Sequence, residues 1–155
     1  MALVLNSFRE LSDLIHEMCT PIRSPEFSVD DWETATRQIE LLHVEYFATS
    51  VSPDGEAWAP LAPLTVKRKG HSRILFETNR LYESLTSGTG DSVRRAESTY
   101  LEFGTRREWA WIHQVGSERI PARPHTGISN EGMPPVLGAI ADTILAKMVY
   151  VIDAY

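Results

Sequence analysis

The chain has 155 residues, 43% of them hydrophobic, with a formal net charge of −6 and Cys19 as its one cysteine. A chain of this size buries about 70% of the surface its unfolded form exposes, so it can fold as one domain over residues 1–155 without a metal or disulfide, and a single thiol excludes both an internal disulfide and a cysteine zinc cluster. Arg9, Glu10, Asp13 and Glu17 break up the apolar N-terminus, which excludes a signal-peptide core, and no run approaches the ~20 apolar residues of a membrane span. The composition suits a protein made in a reducing cytoplasm that stays there or leaves inside a particle.

Asn6 to Cys19 reads as an amphipathic helix capped by Ser7, with Phe8, Leu11, Leu14, Ile15 and Met18 at helical spacing. Two prolines, Pro21 and Pro25, separate it from a second helix that starts near Ser28. There the hydroxyl can accept from the Asp31 amide, and Asp30, Asp31 and Glu33 suit the positive helix end. Trp32, Ala35, Ile39, Leu42 and Tyr46 form its stripe, widened by Leu41, Val44 and Phe47. It ends before the turn signal Ser52-Pro53-Asp54-Gly55.

Pro63 to Lys69 predicts a short helix stopped by Gly70. Thr78 to Leu85 is a helical turn or the approach to a strand. Ser84 to Thr89, Ser92 to Glu97 and Tyr100 to Gly104 predict an antiparallel meander. Trp109 to Val115 reads as a short helix closed by Gly116. Ser117 to Pro135, with four prolines, is an extended loop, and a last helix starts at Pro134 or Pro135 with Val136, Leu137, Ile140, Ile144, Leu145 and Met148 as its stripe. The expected fold class is α+β: a small antiparallel sheet flanked by an N-terminal helical pair and a C-terminal helix, with a long proline-rich loop. So much irregular chain implies a role for the loop, such as lying against a neighbouring subunit.

Charge divides along the chain. Residues 1–63 carry three basic residues against eleven acids, residues 64–125 eleven against seven, and the remainder one against three. An acidic end and a basic middle allow copies to meet through complementary fields, although solvated faces produce the same count.

No constellation for catalysis stands out. There is no Gly-x-Ser-x-Gly, and Cys19 beside Met18 reads as a core or boundary thiol. The five histidines form no His-x-x-x-His pair; His113 and His125 flank the proline-rich loop and can meet, but two ligands make a poor metal site. Helix capping explains Asp30-Asp31, and a hairpin turn explains Gly88-Thr89-Gly90, which lacks a following lysine. The basic run Lys67, Arg68, Lys69, His71, Arg73 has no interleaved aromatics for single-stranded nucleic acid; a helix end or a subunit contact accounts for it. Trp58, between Ala57 and Ala59, reads as a core plug that anchors its loop. Trp109 and Trp111 diverge in a helix, one turning inward and one toward a loop or partner.

Four elements recur in the order of a known family. Pro53-Asp54-Gly55 with Trp58, Pro60-Leu61 is the first, followed by Thr65, Lys67 and Arg68. Ile74-Leu75-Phe76, Arg80-Leu81 and Ser84-Leu85 form the second. Ala110, Ile112-His113-Gln114 and Gly116 form the third, and Pro121-Ala122-Arg123-Pro124 with Gly127-Ile128-Ser129 the fourth. Together they resemble the phage virion morphogenesis family, the tail-completion proteins of Mu-like phages. Asn79 stands where the family usually has glycine, Trp109 where a tyrosine is common, and His125-Thr126 in place of an aromatic-aliphatic pair.

The resemblance implies a non-enzymatic virion component without cofactor or metal: a tail-completion or tail-terminator subunit at the tail end or neck, assembled in the host cytoplasm. It implies partners too: copies of itself in a ring of about six subunits, the tail tube and sheath proteins, head-neck connectors, and genomic DNA passing through the lumen without sequence-specific binding. No membrane is involved. Assembly contacts are expected at Lys67, Arg68, Lys69, Arg73, Trp111, His113, Gln114, Arg119 and Arg123. Asp54, Gly55, Trp58, Leu61, Leu81, Gly116, Pro121 and Pro124 are expected to be structural anchors. A head-side connector is the near alternative; a small metal-dependent hydrolase at His113 and His125 and a nucleic-acid-binding module at Lys67 to Arg73 are the remote ones.

Overall fold

A computed structural model describes residue 28 and residues 30–153, with side chains as far as residue 147. The expected helix over Asn6 to Cys19, with Cys19 itself, lies outside the described residues. A 3-10 turn, Asp30–Trp32, leads into α1 (Glu33–Thr49). There follow α2 (Pro63–Lys69), α3 (Arg80–Thr86), β1 (Ser92–Ala96), β2 (Leu101–Thr105), α4 (Ala110–Val115) and α5 (Met133–Asp153). The fold is α+β.

The entry to α1 is held by a reciprocal cap, in a different sense from the one expected. The Ser28 amide and hydroxyl both donate to the Asp31 carboxylate, at 2.5 and 2.7 Å, and the Asp31 amide donates to the Ser28 carbonyl. Lys147 of α5 lies 2.7 Å from the same carboxylate. The Lys147 bond, joined by those from Ser28, holds the Asp31 pKa down at about 2.

Helix α1 is the central strut, buried on two sides. Trp32 and Ala35 pack with Ala139 of α5, against Ala96, Leu101, Ile140 and Ile144. Tyr46 and Phe47, at its other end, join Trp58, Phe76, Leu81, Leu85 and Ala110 in the larger core. Phe47 meets Trp58, Phe76 and Tyr82 edge-on, with ring centroids 5.4–5.5 Å apart, a geometry that adds to the burial term. Leu41, expected in the stripe, is exposed, while His43 occupies the buried position. On α5, Val136 and Ala139 are buried but Leu137 and Leu145 face outward; Met148 lies beyond the described side chains.

The sheet is a single antiparallel hairpin, with Ser92 opposite Thr105 and Ala96 opposite Leu101. The expected third strand over Ser84 to Thr89 does not form. Residues 80–86 are helical, and fully buried Leu85 and Ser84 point into the core from that helix. The Ser84 hydroxyl donates to the Leu81 carbonyl and bonds to the Thr105 hydroxyl, so α3 docks on the hairpin rather than extending it. Arg94 of β1 ties the hairpin to α1: its guanidinium bonds Glu40 at 3.2–3.3 Å and lies 3.7 Å above the Phe103 ring.

Candidate assembly site

Two motifs on either side of the hairpin, residues 53–61 and residues 109–124, meet in space. The Trp58 indole N–H donates to the Pro124 carbonyl at 2.7 Å. The Arg123 guanidinium donates to the carbonyls of Ala59 and Pro60 at 2.8 and 3.1 Å. The Arg123 amide in turn donates to the His113 carbonyl at 2.6 Å. Gln114 works as a staple: its side-chain oxygen accepts from the amides of His125 and Thr126, and its nitrogen donates to the Thr126 carbonyl. The Ser129 amide reaches the Tyr46 hydroxyl at 3.0 Å. The proline-rich loop is thereby fastened to α4, to the Trp58 segment and to α1. Gly116 is required at its start, because a Cβ there would lie 2.7 Å from the Ala122 amide nitrogen and φ is +78°.

These braces frame a groove of about 970 Å³. Leu61 and Pro63 at the start of α2 line it, with Arg68 and Lys69 at its end. Leu75, Glu77, Arg80 and Leu81 come from the α2–α3 segment, Arg107 and Trp109 from the approach to α4, His113 from α4, and Arg119, Pro121 and Arg123 from the loop. Six basic side chains therefore line the groove against the single carboxylate of Glu77. Arg107 is paired with Asp91, and Arg123, only 5% exposed, is bound to carbonyls. Arg68, Arg80 and Arg119 make no ion pair among the described residues.

The groove has an electropositive interior. Burial lowers the His113 pKa, and the charges of Arg123 and Lys69 lower it further. Burial likewise lowers that of Lys69; Glu77 partly offsets this, while Arg68, Arg123 and Arg73 add to it. The His113 Nδ1 atom is buried without a hydrogen-bond partner among the described residues, and its ring stands edge-on to Trp109 at 5.8 Å. Leu75, on the groove wall, has φ of +59°, a strained conformation for a leucine.

Of the residues singled out in the sequence for assembly, Arg68, Lys69, His113, Arg119 and Arg123 come together here. Lys67 and Trp111 are exposed outside the groove; Trp111 is 68% exposed, beside the outward-facing Ile112 and Val115. Arg73 stacks over Phe76 at 3.7 Å. Gln114 is committed to bonds within the loop. Among the anchors, Trp58 and Leu81 are buried, Leu61 and Pro121 line the groove, and Asp54 and Gly55 occupy an exposed turn. Arg80, Arg107 and Glu77 were not singled out for the site; the net positive charge of residues 64–125 was the one signal that could have found the two arginines.

His125 is 1% exposed, with Nδ1 3.0 Å from the Arg123 carbonyl, and serves the packing of the loop. Among the described residues no group of three or more His, Cys, Asp or Glu side chains converges as a metal site would require. No helix among them is long and apolar enough to cross a membrane. What the groove offers is a set of anion-seeking donors over apolar walls, the chemistry of a binding surface.

The groove is built from the four sequence elements taken together, and the same span of chain, residues 36–145, matches the phage virion morphogenesis family. The chain belongs to the phage virion morphogenesis family. The match runs from α1 through the hairpin and loop into α5, and so takes in both motifs, the groove and the helix that supports them. Virion morphogenesis assigns the chain a part in building the phage particle. No curated protein matches the chain, and no solved structure does.

Proposed function

We propose that the chain is a tail-completion subunit: copies join in a closed ring that caps the tail tube, ends its growth and presents a docking surface to the head. The family match carries the virion role, and the resemblance of the four elements to tail-completion proteins carries the position. The surface supports a protein that works by being assembled. One face offers a basic groove; α4 offers exposed Trp111, Ile112 and Val115, and large exposed aromatics concentrate at protein contacts. In a ring each subunit uses two different surfaces, and the tube end and the head connector need further ones. The DNA passing through the lumen would be contacted without reading its sequence.

Electron microscopy of the purified full chain, alone and mixed with tail tubes that lack it, tests this reading. Rings in the first sample and capped tubes in the second are expected. Protein that stays monomeric and binds neither tubes nor head connectors would sink the reading; binding to connectors without tubes would move the subunit to the head side of the neck.

A further inference from the structure

Two surfaces of opposite charge share no lining residue, and each carries charged side chains without an ion-pair partner among the described residues. One is the basic groove, where Arg68, Arg80 and Arg119 have no ion-pair partner among the described residues. The other is the turn at Pro53, whose Asp54, Gly55 and Glu56 are exposed. The 340 Å³ depression beside that turn is lined by Gly55 together with Glu45 and Glu131, and by no basic side chain. None of these four carboxylates is in an ion pair among the described residues. No residue lines both depressions, as a head-to-tail contact between copies requires.

The turn is also rigid. The Ser52 amide donates to the Glu56 carbonyl at 2.8 Å, the Gly55 amide to the Ser52 carbonyl at 2.9 Å, and the Glu56 amide to the Ser52 hydroxyl at 3.2 Å. Val51 bridges Ala57, and Pro53 rests against Gly127 so closely that a Cβ there would lie 3.1 Å from the proline ring. A projection ordered before contact loses little entropy on binding. The groove has apolar walls at Leu75, Leu81 and Trp109 and is concave, which suits an inserted turn.

We propose that the Asp54–Glu56 turn of one copy seats in the groove of a second copy, its carboxylates meeting Arg68, Arg80 and Arg119. This rests on the reading of the chain as a ring subunit and names the contact that closes the ring. The contact is heterologous: the groove of each copy accepts the turn of the next.

Charge reversal on the full chain tests it, read by sedimentation velocity and electron microscopy. One variant carries R68E and R119E, the other D54K and E56K; all four positions are exposed. Each variant alone sets like charge against like, and its self-association weakens on the order of tenfold or more relative to wild type. An equimolar mixture restores assembly, because each variant's turn now matches the other's groove. The milder pairs R68Q/R119Q and D54N/E56Q weaken association in the same direction, which guards against misfolding as the cause. Wild-type rings together with unimpaired association of either reversed variant overturn the contact and leave the ring reading standing, and so do well-folded variants whose mixture fails to assemble. Wild-type protein that never associates overturns the ring reading, and the contact with it. Loss of duplex DNA binding by R68E/R119E, with assembly intact, assigns the groove to nucleic acid and overturns the proposal.

Discussion

Asn79 shows how one departure from a family pattern acquires a physical reason. It stands where glycine is usual, and its φ is +58°. Asparagine is one of the few side chains that enter the left-handed region at modest cost, so the position keeps its backbone conformation without glycine. Asn79→Ala should lower stability by about 1 kcal/mol and Asn79→Gly should change it little; urea unfolding of both variants checks the contrast. Trp58 makes a larger contribution. It is 5% exposed and carries the bond to Pro124, so Trp58→Phe strands a carbonyl at a cost of ~1–3 kcal/mol, and Trp58→Ala adds a cavity for ~3–5 kcal/mol in all. His125 gives the fold a pH dependence. Burial lowers its pKa from 6.5 to about 4, and burial moves His43 in the same direction. Between those two values the unfolded chain binds the proton that the folded chain refuses. Stability is therefore full above pH 6.5 and falls as the pH drops toward 4, by up to about 1.4 kcal/mol per pH unit for His125. Urea midpoints between pH 4 and 7 read the slope, and an NMR titration that found the His125 midpoint at pH 6 or above would contradict this account.

At the level of elements, what the sequence disclosed depended on whether the signal was local. The bounds of α2 were legible because proline at the first position and glycine past the last act within one turn: Gly70 closes the helix at φ +75° through its bond to Val66. The third strand was misread because Ser84 and Leu85, an adjacent buried pair, fit a strand as well as a helix. What decided the matter was the docking of Ser84 on Thr105, a contact across twenty-one positions that no local pattern reports. The outward turn of Leu137 and Leu145 was hidden for the same reason, since an apolar residue does not announce which side its neighbours take. The groove was legible only in its parts: four segments supply its lining, and the fold alone makes them one surface. The Arg94–Glu40 pair offers a test of coupling between elements. Both side chains are about four-fifths buried, and Arg94 also stacks on Phe103. Arg94→Lys keeps the charge but loses the planar fork and the stacking. It should cost ~1–2 kcal/mol, and a double-mutant cycle with Glu40→Gln measures the ion-pair share.

For the whole molecule, the divided charge and the apolar face of α4 predict two contacts that salt will tell apart. The Debye length shrinks from roughly 10 Å at 0.1 M salt to about 3 Å at 1 M. A contact made by exposed arginines and carboxylates loses most of its attraction over that range, whereas one made by Trp111, Ile112 and Val115 keeps its own. Self-association of the purified chain should therefore weaken on the order of tenfold between 0.1 and 1 M sodium chloride. Trp111→Ala should leave both stability and that salt dependence unchanged, since its side chain is mostly in solvent, while reducing capture of the chain by tail tubes at either salt concentration. Sedimentation at the two salt concentrations reads the first effect and co-sedimentation with tubes the second. Assembly that strengthens with salt would make the apolar face the bond between subunits and reduce the division of charge to solvated surface. Assembly that weakens with salt, with tube capture still dependent on Trp111, would give each surface a separate partner, as a subunit lying between its own copies and the end of a tube requires.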